Sequence, residues 1–225
     1  CLVYMAKKFP ILRMEKENLK WNGYYVKRLL LMGLPMGLQY SITAIGSIVL
    51  QTAVNGLGSV VMAAVASGSK VSALFCTPYD AIGTMAATYA GQNLGAGELD
   101  RVRTGVKDCA LLGVAYSLAA LAVLYLVGGK MSGLFLSGGD AAAAEKILPL
   151  AQRMLTIWAL FYIPLLGVNL VRFTIQGLGY SNLAVISGIF EMIARAVVAL
   201  GLVPVLGFDA VCLASPAAWV LADCF

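Results

Sequence analysis

The chain has 225 residues, of which 60% are hydrophobic and 12% charged, with a mean hydropathy of +0.86 and a net charge of +5. Soluble domains carry about 25% charged residues, so this chain lacks the polar surface that water demands, whereas lipid wets apolar side chains directly. The basic residues form no extended nucleic-acid face, and histidine is absent, which excludes histidine proton relays and histidine metal ligands.

Residues 1–5 are apolar and read as the tail of a preceding membrane helix. Residues 6–28 form a linker carrying Lys7, Lys8, Arg13, Lys16, Lys20, Lys27 and Arg28, which the positive-inside rule places in the cytoplasm. Residues 29–69 carry no charge. That is too long for one crossing of about 20 residues, and Asn55, Gly56, Gly58 and Ser59 mark a turn within it. The first crossing is therefore expected over 29–54, with Pro35 in its early turns. The second is expected over 59–90 and holds Lys70, Pro78 and Asp80.

Residues 91–108 form a second basic connection, in which Glu98, Leu99 and Asp100 open the next helix. The third crossing is expected over 104–128, ended by Gly128 and Gly129, with a small interfacial helix at 130–137. The fourth is expected over 147–173. GLGYSN at 177–182 makes a turn in which Ser181 or Asn182 caps the following helix. The fifth crossing is expected over 183–205, and a sixth begins near 210 and reaches Pro216, Trp219 and Asp223. The linker, the 91–108 connection and the turn after Arg172 should share one face, and the turns near 56, 135 and 206 the other. The chain starts at Cys1 and stops at Phe225 inside apolar sequence, and so reads as part of a longer protein.

Charges in lipid usually face protein or a wet cavity. Glu191 and Arg195 are four apart on one helical face; they are either a charge pair lining an ion path or a structural salt bridge. Asp80 lies just beyond Pro78 and is either a pathway group or a hydrated interior group. Lys70 is expected to reach a partner on another helix. Gln39, Tyr40, Thr43 and Asn169 line a cavity for amphipathic or cationic solutes, or else bond helix to helix. Tyr79, Tyr89, Tyr125 and Tyr162 belong to the interfacial aromatic belt or to that cavity. Cys1, Cys76, Cys109, Cys212 and Cys224 fit neither a zinc pattern nor a disulfide framework. HExxH, GxxxxGK and GxSxG are absent, so no enzyme site emerges.

GLPMGLQ at 33–39, SGSKV at 67–71, Pro78, AGQNLGAG at 90–97, QGLGYS at 176–181 and EMIAR at 191–195 occur in this order across the hydrophobic segments. In this the chain resembles the C-terminal half of a multidrug and toxic compound extrusion (MATE) transporter, of the bacterial branch common in Firmicutes. The resemblance implies an all-α integral membrane protein. Residues 29–225 would form a six-helix transmembrane bundle, helices seven to twelve with the last cut short, as one lobe of a twelve-helix transporter. It implies secondary multidrug efflux from a multi-pass position in the bacterial inner membrane. Organic cations or other amphipathic solutes would be exchanged for protons or sodium by alternating access, with no cofactor. The partners would be those solutes, membrane lipid and the missing N-terminal bundle.

The resemblance also makes Glu191 and Arg195 the family's charged pair on the eleventh helix. It gives Gln92, Asn93, Gly95, Gly97 and Gln176 structural or gating roles at the cytoplasmic turns, beside Pro35, Lys70 and Pro78. Sodium-coupled members carry acids in the seventh and tenth helices, where this chain has Thr43 and Leu165; other members use an acid on the first helix. The alternatives are a lipid-linked oligosaccharide flippase or polysaccharide exporter of related architecture, which wants a more cationic cavity, and a membrane scaffold with no transport role.

Overall fold

The computed structural model describes residues 20–136 and 141–224, together with Tyr4 and Lys8. The segment expected to finish an earlier helix and most of the linker lie outside these residues. Helix α1 spans Gly23–Asn55, and the side chain of Asn22 caps it by accepting from the Tyr24 amide at 3.1 Å. The last six linker residues are thus already helical. A turn leads into α2, Ser59–Gly95, and another into α3, Leu99–Gly133, with Glu98 at its cap and Asp100 in its first turn. Acids at a helix start complement the partial positive charge there. Because α3 runs unbroken through Lys130, the separate helix expected at 130–137 does not begin at 130.

The fourth expected crossing is bent. Helix α4, Ala141–Leu160, breaks at Phe161 and resumes as α5, Tyr162–Gly177, at 53°. Pro164 accounts for the break, since it has no N–H to donate to the carbonyl of Leu160 and its ring crowds that carbonyl. Helix α6, Ser181–Val197, continues through a π-helical stretch, Val198–Leu202, into the short α7, Val203–Leu206. Pro204 removes a ladder donor in the same way. Gly207, at φ +57°, turns the chain into α8, Phe208–Asp223. Neither Ser181 nor Asn182 caps α6; Tyr180 occupies the cap position without a side-chain bond.

Among the described residues, four helical runs are long and apolar enough to cross a membrane: α1, α2, α3 and the run from α6 through α7. The bent α4–α5 pair makes a fifth. The outer surface is apolar, with Leu30, Leu34, Leu38, Ile45 and Ile48 exposed along α1. That is the inverse of a protein wetted by water.

Helix α1 packs along α6, while α2 packs along α3 and α5, α3 on α4, and α8 on α6 and α5. The main core gathers Tyr79, Tyr162, Leu124, Leu155 and Trp219. Tyr79 and Tyr162 are fully buried in it rather than in an interfacial belt. The Tyr79 hydroxyl pairs with Ser117 Oγ at 2.9 Å and the Tyr162 hydroxyl with Ser72 Oγ at 3.3 Å. Tyr125 is exposed, as an interfacial tyrosine would be.

Gly177 sits against the backbone of Ala87, and Gly91 lies beneath the Gly177 carbonyl, where a Cβ would come within 3.0 Å of the oxygen. Small residues there let α2 and α5 touch main chain to main chain. Between α3 and α4, the Gln152 amide accepts from the Gly129 N–H and donates to the carbonyls of Leu124 at 2.9 Å and Tyr125 at 3.1 Å.

One end of the molecule brings Arg28, Gly91, Gly95, Gly177, Gly179 and Asn182 around a single cavity. The other gathers Gly56, Leu57, Pro204 and Gly207, with Val60 and Leu136 packed together in a satellite cluster. Among the described residues, the end of the linker at Arg28 and the two other basic connections therefore lie at one end, and the turns near 56 and 206 lie together at the other.

Candidate functional site

The densest buried polar cluster joins α1, α5 and α6. Glu191 is 3% exposed, and Arg195 meets its Oε2 at 3.2 Å across one helical turn. Arg172, from α5, forms an ion pair with Oε1 of the same carboxylate and donates to Ser187 Oγ at 3.1 Å. The sequence pairs Glu191 with Arg195 alone, but the carboxylate is shared by two guanidinium groups. Arg172 reaches it from another helix, so helical spacing carries no trace of the contact.

Gln39 extends the network onto α1. A guanidinium only donates, so the Gln39 amide turns its oxygen toward Arg172 and accepts from Nη1 at 3.1 Å and Nε at 3.0 Å. Its nitrogen then faces the Gln176 amide 2.8 Å away, where the Gln176 oxygen must receive it. Gly188 of α6 makes this approach possible, since a Cβ there would lie 3.0 Å from Gln39 Cγ and 3.5 Å from Thr43 Oγ1. The Thr43 hydroxyl, the Thr174 hydroxyl and Arg195 Nη1 are buried without a bonding partner among the described residues.

The other expected residues divide. Asn169 is buried one turn before Arg172 but joins no bond of the network. Tyr40 is exposed and points away from Gln39, so these two do not line one cavity inside this bundle. Asp80 lies on the surface of α2, within the field of Arg172. Lys70 meets no acid among the described residues; its Nζ stands 5.8 Å from the centroid of the Phe135 ring, a cation–π contact. Pro35 and Pro78 lie inside continuous helices.

At the α2–α3 turn, Gly97 takes φ +78°, which favours glycine, while Gly95 stays helical. Asn93 donates to the Tyr89 carbonyl within its own helix at 2.8 Å, and Gln92 is exposed. Neither side chain holds the turn; the backbone carbonyl of Asn93 does so by accepting from the Glu98 amide at 2.9 Å.

Beside the network, between α5, α6 and α8, lies a cavity of about 280 Å³. Arg172, Ser187 and Asp223 supply its polar lining, and Val168, Val171 and Leu183 its apolar walls. A membrane helix bundle with a shared carboxylate, an excess of buried donors and an adjoining cavity can hold and rearrange charge. Among the described residues the network and its cavity present no nucleophile–base pair for covalent chemistry.

Residues 35–200 match the model of the MatE family. The "Probable multidrug resistance protein YpnP" of Bacillus subtilis (strain 168) is 31% identical over 144 residues, covering 64% of this chain and 31% of that protein. A second protein of the same organism, "Probable multidrug resistance protein YoeA", is 24% identical over 163 residues, 70% of this chain and 34% of that protein. A crystal structure of MATE in complex with MaL6 superposes with a TM-score of 0.87 at 17% identity, over 99% of this chain and 50% of that one. A MOP superfamily transporter from Pyrococcus furiosus, described by the reverse polarity of its binding pocket, gives 0.75 at 16% identity, over 88% and 43%. These structural likenesses speak for the fold. The chain spans about a third of the length of the curated relatives it matches and about half that of the solved transporters.

Proposed function

The chain belongs to the MatE family, whose members are membrane transporters and not enzymes, and from that premise we propose that it is the C-terminal six-helix lobe of a multidrug efflux antiporter. Helices α1, α2, α3, the bent α4–α5 pair and the run from α6 through α7 are helices seven to eleven. Helix α8, which ends at Asp223, is the start of the twelfth. The N-terminal lobe packs against this one, and residues 6–28 connect the two on the cytoplasmic side of the bacterial inner membrane. Organic cations or other amphipathic solutes move outward through the space between lobes, driven by inward protons or sodium.

The observation that carries this reading is coverage. Almost the whole chain overlays a MATE structure, yet it occupies only 50% of it. The buried network gives the lobe an electrostatic element that a change of charge can rearrange. Glu191, Arg172, Arg195, Gln39 and Gln176 form that element, and Thr43, Asn169 and Asp80 border it. Tyr40, exposed on α1, faces the N-terminal lobe and the solute. Gly97, with the helix ends at Gln92, Asn93 and Gly95, forms the cytoplasmic hinge.

A flippase for phosphate-bearing lipids requires a cationic excess in its cavity. Here Arg172 and Arg195 stand with Glu191, Asp80 and Asp223, which favours cationic solutes. The test is efflux of a fluorescent organic cation from vesicles holding the full-length protein, under separate proton and sodium gradients. Gradient-driven movement is expected under one of them, and none under either refutes antiport.

A further inference from the structure

Asp223 is the acid that the network leaves out. Helix α8 starts at Phe208 and reaches Asp223 fifteen residues later, about 22 Å along the axis. Counted from the end of the bundle at which α8 begins, that is within the roughly 30 Å of a hydrocarbon layer. At the other end of the same helix Asp209 is satisfied by Arg153 at 2.9 Å. Asp223 is exposed on the surface of this bundle and has no ion pair among the described residues. An acid so placed must face protein, water or a cation rather than lipid.

Two observations say which. The carboxylate lies over Gly167 of α5, where a Cβ would come within 2.8 Å of Oδ1, so the missing side chain makes the seat for it. It also lines the cavity of about 280 Å³ whose other charged wall is Arg172. The charged groups presented by the helices around α8 are few. Arg172 comes from α5 and lines the same cavity as Asp223. Glu191 and Arg195 come from α6 and lie deeper. Arg153 of α4 is held by Asp209, Asp80 of α2 does not line the cavity, and the π-helical stretch and α7 contribute none.

We propose that Asp223 is a proton-carrying carboxylate of this lobe, competing with Glu191 across the cavity for the guanidinium of Arg172. A proton arriving from the wet side binds an Asp223 oxygen and leaves Arg172 wholly to Glu191 and Gln39. Release of that proton restores a second anion beside Arg172 and draws it from Glu191. The Gln39 link to α1 loosens with that shift, which ties the charge of α8 to the packing of α1 on α6. This assignment rests on the antiport reading for its purpose, while the protonation itself is measurable without transport.

The experiment uses the full-length protein, purified in detergent and in vesicles, as wild type, Asp223→Asn and Asp223→Glu. Infrared difference spectra between low and high pH report protonated carboxyl groups by their C=O band. The expected result is a band that Asp223→Asn loses and Asp223→Glu shifts, with equal thermal stability of all three proteins. In vesicles, Asp223→Asn should lose proton-driven efflux of a fluorescent organic cation. An unchanged band in Asp223→Asn overturns the proposal, as does unchanged proton-driven efflux. Wild-type efflux that follows sodium alone also overturns it and leaves antiport standing. Loss of every gradient effect in wild type, with the band still lost in Asp223→Asn, refutes antiport and keeps the carboxylate.

Discussion

Replacing Glu191 by Gln removes one charge and leaves two arginines behind. The Glu191 side chain is 4% exposed, and those of Arg172 and Arg195 are 11% and 9% exposed, so water cannot take over either guanidinium. Breaking a buried pair by removing one partner costs about 3–5 kcal/mol. Here a single carboxylate serves two cations, which places Glu191→Gln at the upper end of that range. The neutral Gln can still accept one hydrogen bond but supplies no field. The assay is unfolding of the full-length protein in mixed micelles, followed by tryptophan fluorescence, with Trp158 and Trp219 inside the bundle. Removing Arg172 as well, in Glu191→Gln/Arg172→Met, should recover part of the loss, because one fewer stranded charge remains. Wild-type stability in Glu191→Gln, or a double variant weaker by the full sum of the two single ones, would refute the shared-carboxylate reasoning.

Three further outcomes are expected. Gly177→Ala drives a methyl group into the Ala87 backbone, which has no flexible end to give way; a loss of about 1–3 kcal/mol is expected in the same unfolding assay. Gln152→Ala removes the side-chain bonds that join α4 to Gly129, Leu124 and Tyr125 of α3, for a loss of about 1–3 kcal/mol. Tyr40→Ala should leave stability within about 0.5 kcal/mol of wild type, since the side chain is exposed, while altering the relative efflux rates of bulky and small cations from vesicles.

Much of the helical layout is legible in the spacing of charge. The uncharged run over 29–69 and the polar residues at 55–59 place the turn between α1 and α2 to within a residue, while α1 begins six residues before and α2 ends five residues after the expected bounds. Glu98 and Asp100 mark the start of α3, because acids sit well at helix N-termini. The break at Phe161 was also present in the sequence, as Pro164, but length and apolarity over 147–173 describe one crossing and carry no angle.

The network was half visible. Glu191 and Arg195 are four residues apart, and a helix brings such pairs together. Arg172 and Gln39 join them from other helices, 19 and 152 residues from Glu191, and no periodicity reports such a contact. Arg172 reads instead as the charge that closes a crossing. Gln39 and Tyr40 are neighbours in sequence and so point in different directions on a helix; one is buried and the other exposed.

The main-chain seam between α2 and α5 sets how this lobe can move. At 37 residues, α2 is about 55 Å long, more than the roughly 40–45 Å of a bilayer with its headgroups. Gly91 and Gly177 seat its basic end on α5, and Gly68 seats its other half against Ala151 and Met154 of α4. The Tyr79–Ser117 bond ties its middle to α3. A rod held at separate points by three neighbours tilts only if they tilt with it, so α2 fastens the lobe into one unit.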